Sequence, residues 1–281
     1  MKKVQLSRTH SSHSTLRESP LTHLSGRHLA ASLIAGLIFV TAEAALKPKY
    51  GPAHTPKAIP LAESYDYFQN PKNRAPDFWN LIGHTVPQFH GAACSVASVT
   101  MVLNAALTEK AKRNPRSADD RLVLQTELLE KVDAENWKKR ILGPSLTRGA
   151  DLDTLGNIVR AAFKKYGFET VEVKVIHADP QDPQARKHIR EALLANEASA
   201  QDFVIANFDQ VAFTDDAAVG HVSPVAAFDS KKDRVLIVDT DREYYEPYWV
   251  SEETFWKGVS TRDSSVGKSR GIVWVKVLDQ K

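Results

Sequence analysis

The sequence predicts an α+β fold in which a helical front half packs on an antiparallel sheet supplied by the back half. Three observations carry this reading: apolar residues at helical spacing between positions 95 and 166, two β-rich runs joined by a polar turn at 229–233, and an apolar run that closes the chain. In order, residues 47–80 are rich in Pro and aromatics without a clean period and read as an extended lead-in with little helix. Within 95–107, Val96, Val99, Leu103 and Leu107 recur at steps of three and four, which marks one buried helical face. A charged, Pro-broken stretch follows over 108–120, then a helix over 121–131. Residues 151–166 carry acids in the first turn, Lys164 and Lys165 in the last, and Gly167 just beyond, the signals of a helix start and stop. Residues 168–176 alternate as a strand, 182–196 read as a helix, and 203–208 as a short buried strand. Residues 221–228 and 234–239 form a hairpin about a turn centred near 231, which sets His221 opposite 239–241 and within reach of Asp239. A third strand, 271–278, ends the chain. The aromatic cluster Tyr244, Tyr245, Tyr248, Trp249, Phe255 and Trp256 reads as core, with an interface or a substrate wall as alternatives.

The chain has 281 residues, 42% hydrophobic and 25% charged, which excludes long disorder, collagen-like repeats and a multi-span membrane protein. Five of the 37 Lys and Arg but only two of the 34 acids lie in the first 44 residues, so the formal charge of +3 belongs to that segment. The remainder is balanced and offers no basic surface for nucleic acid. The same segment has the order of a secretory signal: a Lys/Arg-bearing stretch, an apolar run over 29–40 too short to span a bilayer, then Thr41-Ala42-Glu43-Ala44. Residues 1–44 are read as a signal peptide and 45–281 as a single domain, periplasmic or secreted, with no membrane attachment after cleavage. An uncleaved anchor is the alternative.

An exported protein with a single Cys has no internal disulfide to form, so Cys94 is either a buried structural thiol or a functional one. Its neighbours favour function. Cys94 opens the helix of 95–107, and a helix N-terminus and an imidazolium both stabilise the nucleophilic thiolate. His221 is the candidate base, Asp239 fixes its orientation and tautomer, and Gln88, six residues before the Cys, can donate its amide to a developing oxyanion. Alone, each signal is also that of a structural His or a capping Asp; the coincidence of helix start and hairpin register sets them apart.

The segments at these residues resemble the phytochelatin synthase family. Gln88-Phe-His-Gly-Ala-Ala-Cys94-Ser-Val-Ala-Ser98, with the helix that follows, is similar to that family's nucleophile segment; Gly220-His221-Val-Ser-Pro and Val-Leu-Ile-Val-Asp239-Thr-Asp-Arg242 are similar to its later motifs. The resemblance runs from about Asn70 to Val277. It implies a papain-like thiol fold acting on glutathione, γ-Glu-Cys-Gly, with Cys94 as nucleophile, His221 as base, Asp239 as orienter and Gln88 in the oxyanion hole. It also implies an Asp in the loop 261–270 and an Arg just before the last strand, Asp263 and Arg270, that hold the charged γ-glutamyl end; Arg242 is a third candidate.

The expected reaction is acyl transfer: glycine leaves, a γ-Glu-Cys thioester stays on Cys94, and water or a second glutathione resolves it. The chain looks like a short bacterial form that mainly hydrolyses, because no Cys-rich second domain follows the last strand. Val222 and Ala92 stand where bulkier aromatics are associated with the family, which implies an acyl pocket of different shape. No cofactor is required, and a heavy-metal thiolate is a candidate substrate or activator; one Cys and scattered His54, His84, His90, His177 and His188 give no ligand cluster, so no metal site is assigned. Glutathione and related thiol peptides are the expected partners, with a homodimer possible. Two alternatives stay open: an exported cysteine peptidase acting on longer peptides, and a non-catalytic periplasmic protein binding metal or thiol peptides.

Overall fold

A computed structural model describes residues 57–113, 122–143, 149–216 and 218–278. The leader expected at 1–44 lies outside the described residues. In chain order the elements are β1 (Ile59–Pro60), a 3₁₀ turn (Leu61–Glu63), α1 (Asp66–Gln69), α2 (Pro76–Ile82), α3 (Cys94–Arg113), α4 (Gln125–Lys131), α5 (Trp137–Leu142), α6 (Leu152–Lys165) and β2 (Val171–His177). They continue with α7 (Ala185–Ala198), β3 (Asp202–Asp209), α8 (Gln210–Thr214), β4 (Gly220–Asp229), β5 (Arg234–Ile237), β6 (Tyr248–Ser251), α9 (Glu252–Val259), β7 (Arg262–Asp263), β8 (Lys268–Ser269) and β9 (Gly271–Val277).

Mixed helix and antiparallel sheet is therefore the architecture. One seven-stranded sheet has the order β1-β6-β5-β4-β3-β9-β2, and β7 pairs with β8 as a separate ribbon. Every neighbouring pair in the large sheet is antiparallel. The last strand does more than close the chain, because β9 threads between β3 and β2 and pairs with both.

Helices cover the sheet on both faces, beyond the two-layer packing expected. Phe203, Ile205, Leu236, Val273 and Val275 join one apolar cluster with α2 to α6; Val204, Ala206, Phe208, Ile237, Ile272 and Trp274 join another with α7, α8 and α9. Strands buried on both faces lose the apolar–polar alternation that sequence patterning relies on. Four of the six clustered aromatics, Tyr245, Tyr248, Trp249 and Phe255, are 2% exposed or less and belong to this core. Burying one such side chain contributes about 1.5–3 kcal/mol.

The helix read at 151–166 forms for the reasons expected. Asp151 caps it, accepting from Thr154 N at 3.0 Å, and Gly167 takes φ +79° after its end. The lead-in departs from the reading in part: residues 47–56 lie outside the described residues, Ile59–Pro60 is extended as expected, and short helices follow. Pro76 opens α2, and Asp66–Gln69 forms α1, so the Pro and aromatic residues there start and bury helices rather than extend. The helix expected at 121–131 begins at Gln125, and that expected at 182–196 begins at Ala185.

The hairpin forms with Asp229 opposite Arg234, and a bulge between Val225 and Ala227 shifts its register by one. The strand ends at Ile237, Val238 N still donates to the Pro224 carbonyl of β4 at 3.0 Å, and Asp239 follows at the end of the sheet where α3 begins.

Candidate active site

Cys94 is the first residue of α3 and 5% exposed. The helix starts there because the chain turns at 90–93: Ala93 N donates to the His90 carbonyl at 2.9 Å, and the Ala93 carbonyl then accepts from Val96 N and Ala97 N, each at 3.0 Å. The unpaired N–H groups of a first turn favour negative charge beside them. Two side chains fix this end. Trp137 Nε1 donates to Ser95 Oγ at 3.1 Å, and Ser98 Oγ donates to the Val222 carbonyl at 3.0 Å, tying α3 to α5 and to β4.

His221, second residue of β4, is 5% exposed and presents Nε2 to Asp239 Oδ1 at 2.8 Å. A carboxylate only accepts, so Nε2 carries a proton toward Asp239, and Nδ1 is the ring nitrogen left for Cys94, whose sulfur favours the charged imidazole. The Phe208 ring meets the imidazole edge-on with centroids 5.4 Å apart, closing it from solvent. Asp239 is fully buried and its second partners are strong: Asp241 N donates to Oδ1 and Tyr248 Oη to Oδ2, both at 2.8 Å.

Burial works against a charged His221, but attraction to Asp239 and the contact with Cys94 outweigh it and hold the imidazole well above its ordinary range. Burial likewise opposes ionised Asp239; the imidazole, the Asp241 amide and the Tyr248 hydroxyl reverse this and keep the carboxyl below its usual value. The pair is an imidazolium–carboxylate pair. Tyr248, buried and beside that carboxylate, is pushed well above the usual phenol range and stays a donor.

Thr240 straps the site together. Its N donates to Ser223 Oγ at 3.2 Å, its hydroxyl to the Val222 carbonyl at 3.1 Å, and its own carbonyl accepts from Gln88 N at 2.8 Å. Gln88 is thereby anchored beside the strand end, half-buried, with Oε1 buried and lacking a hydrogen-bond partner.

A cavity of about 490 Å³ opens beside Cys94, and its lining includes Arg140, Asp151, Asn207, Asp263 and Arg270. Asp263 and Arg270 thus meet Cys94 in one cavity. Arg270 Nη1 lies 3.6 Å from Asp263 Oδ2, while its Nε and Nη1 are buried and make no hydrogen bond. The other oxygen of Asp263 accepts from Ser265 N at 2.9 Å and Ser265 Oγ at 2.6 Å. Arg270 is held by its backbone, which donates to the Thr261 carbonyl and accepts from Ala178 N, each at 2.8 Å. His177 braces the preceding residue, bridging the Ser269 carbonyl at 2.6 Å and Asp153 Oδ1 at 3.0 Å.

Arg242 and Gln88 do not line this cavity; Arg242 is half-buried with Nη1 unpartnered. Of the two positions expected to alter the pocket's shape, Val222 lines it and Ala92 does not. Sequence reasoning missed Tyr248, Asn207, Asp151 and Arg140. Tyr248 was hidden in the aromatic cluster; Asn207, a buried polar residue in an apolar strand, was the one readable signal. His84 hydrogen-bonds Thr108, and among the described residues no three His, Cys, Asp or Glu side chains are grouped to hold a metal ion. No described helix is long and apolar enough to cross a membrane.

A family model described as phytochelatin synthase matches residues 60–272. Among curated proteins the chain is similar to glutathione gamma-glutamylcysteinyltransferase 1 of Triticum aestivum, 30% identical over 202 residues, covering 70% of this chain and 35% of that protein. Its likeness to glutathione gamma-glutamylcysteinyltransferase 1 of Lotus japonicus is 27% over 201 residues, covering 70% and 35%. The chain thus spans about a third of the length of the relatives it matches.

Proposed function

The chain belongs to the phytochelatin synthase family, and on that premise we propose that it cleaves the Cys-Gly bond of glutathione through a γ-Glu-Cys acyl-enzyme on Cys94. The observation that carries the reading is the buried His221–Asp239 pair with Cys94 on the free side of the imidazole, at a helix N-terminus. A thiol on the first turn of a helix, packed against an antiparallel sheet that supplies the His and Asp, is the papain-like arrangement.

The Cys94 thiolate, its proton already held on the His221 imidazolium, attacks the Cys-Gly carbonyl carbon. The oxyanion that forms is met by the first turn of α3 and by the amide of Gln88, a residue anchored through its backbone N to the Thr240 carbonyl. His221 then protonates the glycine nitrogen, the C–N bond breaks, and glycine departs, leaving a thioester. Water, deprotonated by His221, releases γ-Glu-Cys and regenerates the thiol. A second glutathione attacking through its α-amine instead yields the peptide lengthened by one γ-Glu-Cys unit. Hydrolysis dominates where thiol peptide is scarce, and a metal–thiolate form of glutathione is a candidate second substrate.

The zwitterionic γ-glutamyl end requires an acid and an Arg side by side, and Asp263 with Arg270 supply them in the Cys94 cavity. Residues 1–44 export the chain, placing the reaction in the periplasm or outside the cell. The test is purified protein incubated with glutathione, read by product masses and by an intact-mass search for the γ-Glu-Cys adduct. Glycine release with an adduct on Cys94 supports the proposal; cleavage of longer peptides with glutathione left intact transfers the site to a general peptidase; no turnover and no adduct leaves a binding protein.

A further inference from the structure

Glutathione carries two carboxylates and one ammonium, and the Cys94 cavity presents two guanidinium groups, of Arg270 and Arg140. Arg270 has an acid beside it, as an α-amino acid end requires. Arg140 does not. Its Nε donates to the Glu135 carbonyl at 2.9 Å, which fixes the stem against the turn where Glu135 and Asn136 take φ +54° and +53°, and it has no carboxylate partner among the described residues. The other acid of the cavity, Asp151, has both oxygens engaged by Thr154, one by its N at 3.0 Å and one by its hydroxyl at 2.7 Å. A half-buried cation braced at its base, with no acid of the described residues paired to its fork, suits a lone carboxylate.

We infer that Arg140 is a specificity-determining residue that binds the free carboxylate of the departing glycine, so that the enzyme selects substrates whose scissile bond is followed by a single terminal residue. This rests on the proposed glutathione cleavage and adds what that reading leaves open: why a site built for thiol acyl transfer stops at the last peptide bond. Arg140 comes from α5, and Asp263 and Arg270 from the ribbon and loop ahead of β9, so two separate elements read the two ends of the substrate. The α5 side is tied to the nucleophile through Trp137 and Ser95, which keeps the cation in register with the sulfur.

The experiment compares glutathione with its glycine-amide analogue, which differs only in lacking the terminal charge. Wild type should prefer the free acid in kcat/KM by about tenfold, the low end for one partner of a partly desolvated charge pair. Arg140→Gln should remove that preference by lowering kcat/KM for glutathione while leaving the amide unchanged, and Arg140→Lys should restore part of it. Equal use of both substrates by wild type, or equal loss on both in Arg140→Gln, overturns the inference. Constancy of the amide rate in Arg140→Gln also reports that the fold survives. If wild type cleaves neither substrate, the proposed function itself has failed rather than this assignment.

Discussion

Tyr248 Oη donates to Asp239 Oδ2 at 2.8 Å, on the opposite oxygen from the one that holds His221. The catalytic imidazole is therefore oriented by a carboxylate that is itself oriented, and both groups sit in the apolar core rather than at a solvated rim. Removing the hydroxyl leaves a buried carboxylate oxygen without a partner, which typically costs 1–3 kcal/mol, roughly. Tyr248→Phe should lower stability on that scale and reduce kcat more than it alters KM, because the substrate never touches Tyr248. A chemical denaturation curve and initial rates with glutathione test both; an unchanged kcat would detach Tyr248 from the site.

Asp239→Asn tests the next link. An amide has a single acceptor oxygen, so it cannot accept from His221, Asp241 and Tyr248 together as the carboxylate does, and it no longer stabilises the imidazolium. Turnover should fall by orders of magnitude with KM little changed, the signature of a misoriented base. A change confined to KM would count against the role.

Cys94→Ser should abolish glycine release and the intact-mass adduct while leaving the fold in place. The substitution is nearly isosteric at a 5% exposed position, and a hydroxyl is a far weaker nucleophile at neutral pH. Circular dichroism checks the fold and product mass the chemistry; persistent glycine release would remove Cys94 as nucleophile.

The hairpin and the long helices were legible because their signals are local. The turn at 229–233 set the register that brings His221 to Asp239, and the displacement caused by the bulge at Val225/Ala227 was small enough to leave that pairing intact. Asp151, Lys164, Lys165 and Gly167 marked the ends of α6 because caps and terminal charges act within one turn. The second helical layer was not legible, since α7 to α9 pack on the sheet through contacts between residues far apart in sequence. Arg140 and Asn207 escaped for the same reason. Arg140 is an unremarkable residue in its own segment and Asn207 marks its apolar strand without indicating what it faces; only the convergence of α5, β3 and the loop before β9 makes them neighbours of Cys94. Arg242, adjacent to the Asp239 motif in sequence, falls outside the cavity because the chain turns at Asp241–Tyr244.

Stability should depend on pH through the buried pair, with a definite sign. His221 is raised in the folded state, so its contribution is full below the ordinary imidazole value of 6.5 and is lost as pH rises through the folded value. Asp239 is lowered, so its contribution is present above the ordinary carboxyl value of 3.8 and is lost as pH falls through its folded value. The stability difference between wild type and His221→Ala should shrink as pH is raised well above 6.5. Melting temperatures of the two proteins over a pH series measure this; a difference that widens at alkaline pH would contradict the imidazolium assignment.

Two glycines flank the Arg270 guanidinium and backbone, and they should respond to Ala in opposite ways. A Cβ on Gly220 would come within 2.9 Å of Arg270 Nη2, the far end of a flexible side chain, and nothing in the backbone stands in its way. Gly220→Ala should therefore fold normally while pushing the guanidinium from its place beside Asp263, raising KM for glutathione with little change in melting temperature. A Cβ on Gly271 would meet the Ile176 carbonyl oxygen at 2.0 Å and Ala178 N at 3.0 Å, which are backbone atoms of the paired strand β2 and the residue after His177. No rotamer relieves that clash. Gly271→Ala should force β9 away from β2 and cost stability on the scale of core overpacking, about 1–3 kcal/mol. Because Gly271 directly follows Arg270, its variant should lose binding as well as stability, whereas Gly220→Ala separates the two. Thermal melts and KM values for the pair decide the point: a destabilised Gly220→Ala, or a Gly271→Ala as stable as wild type, would show that the cavity is not held in the way these contacts require.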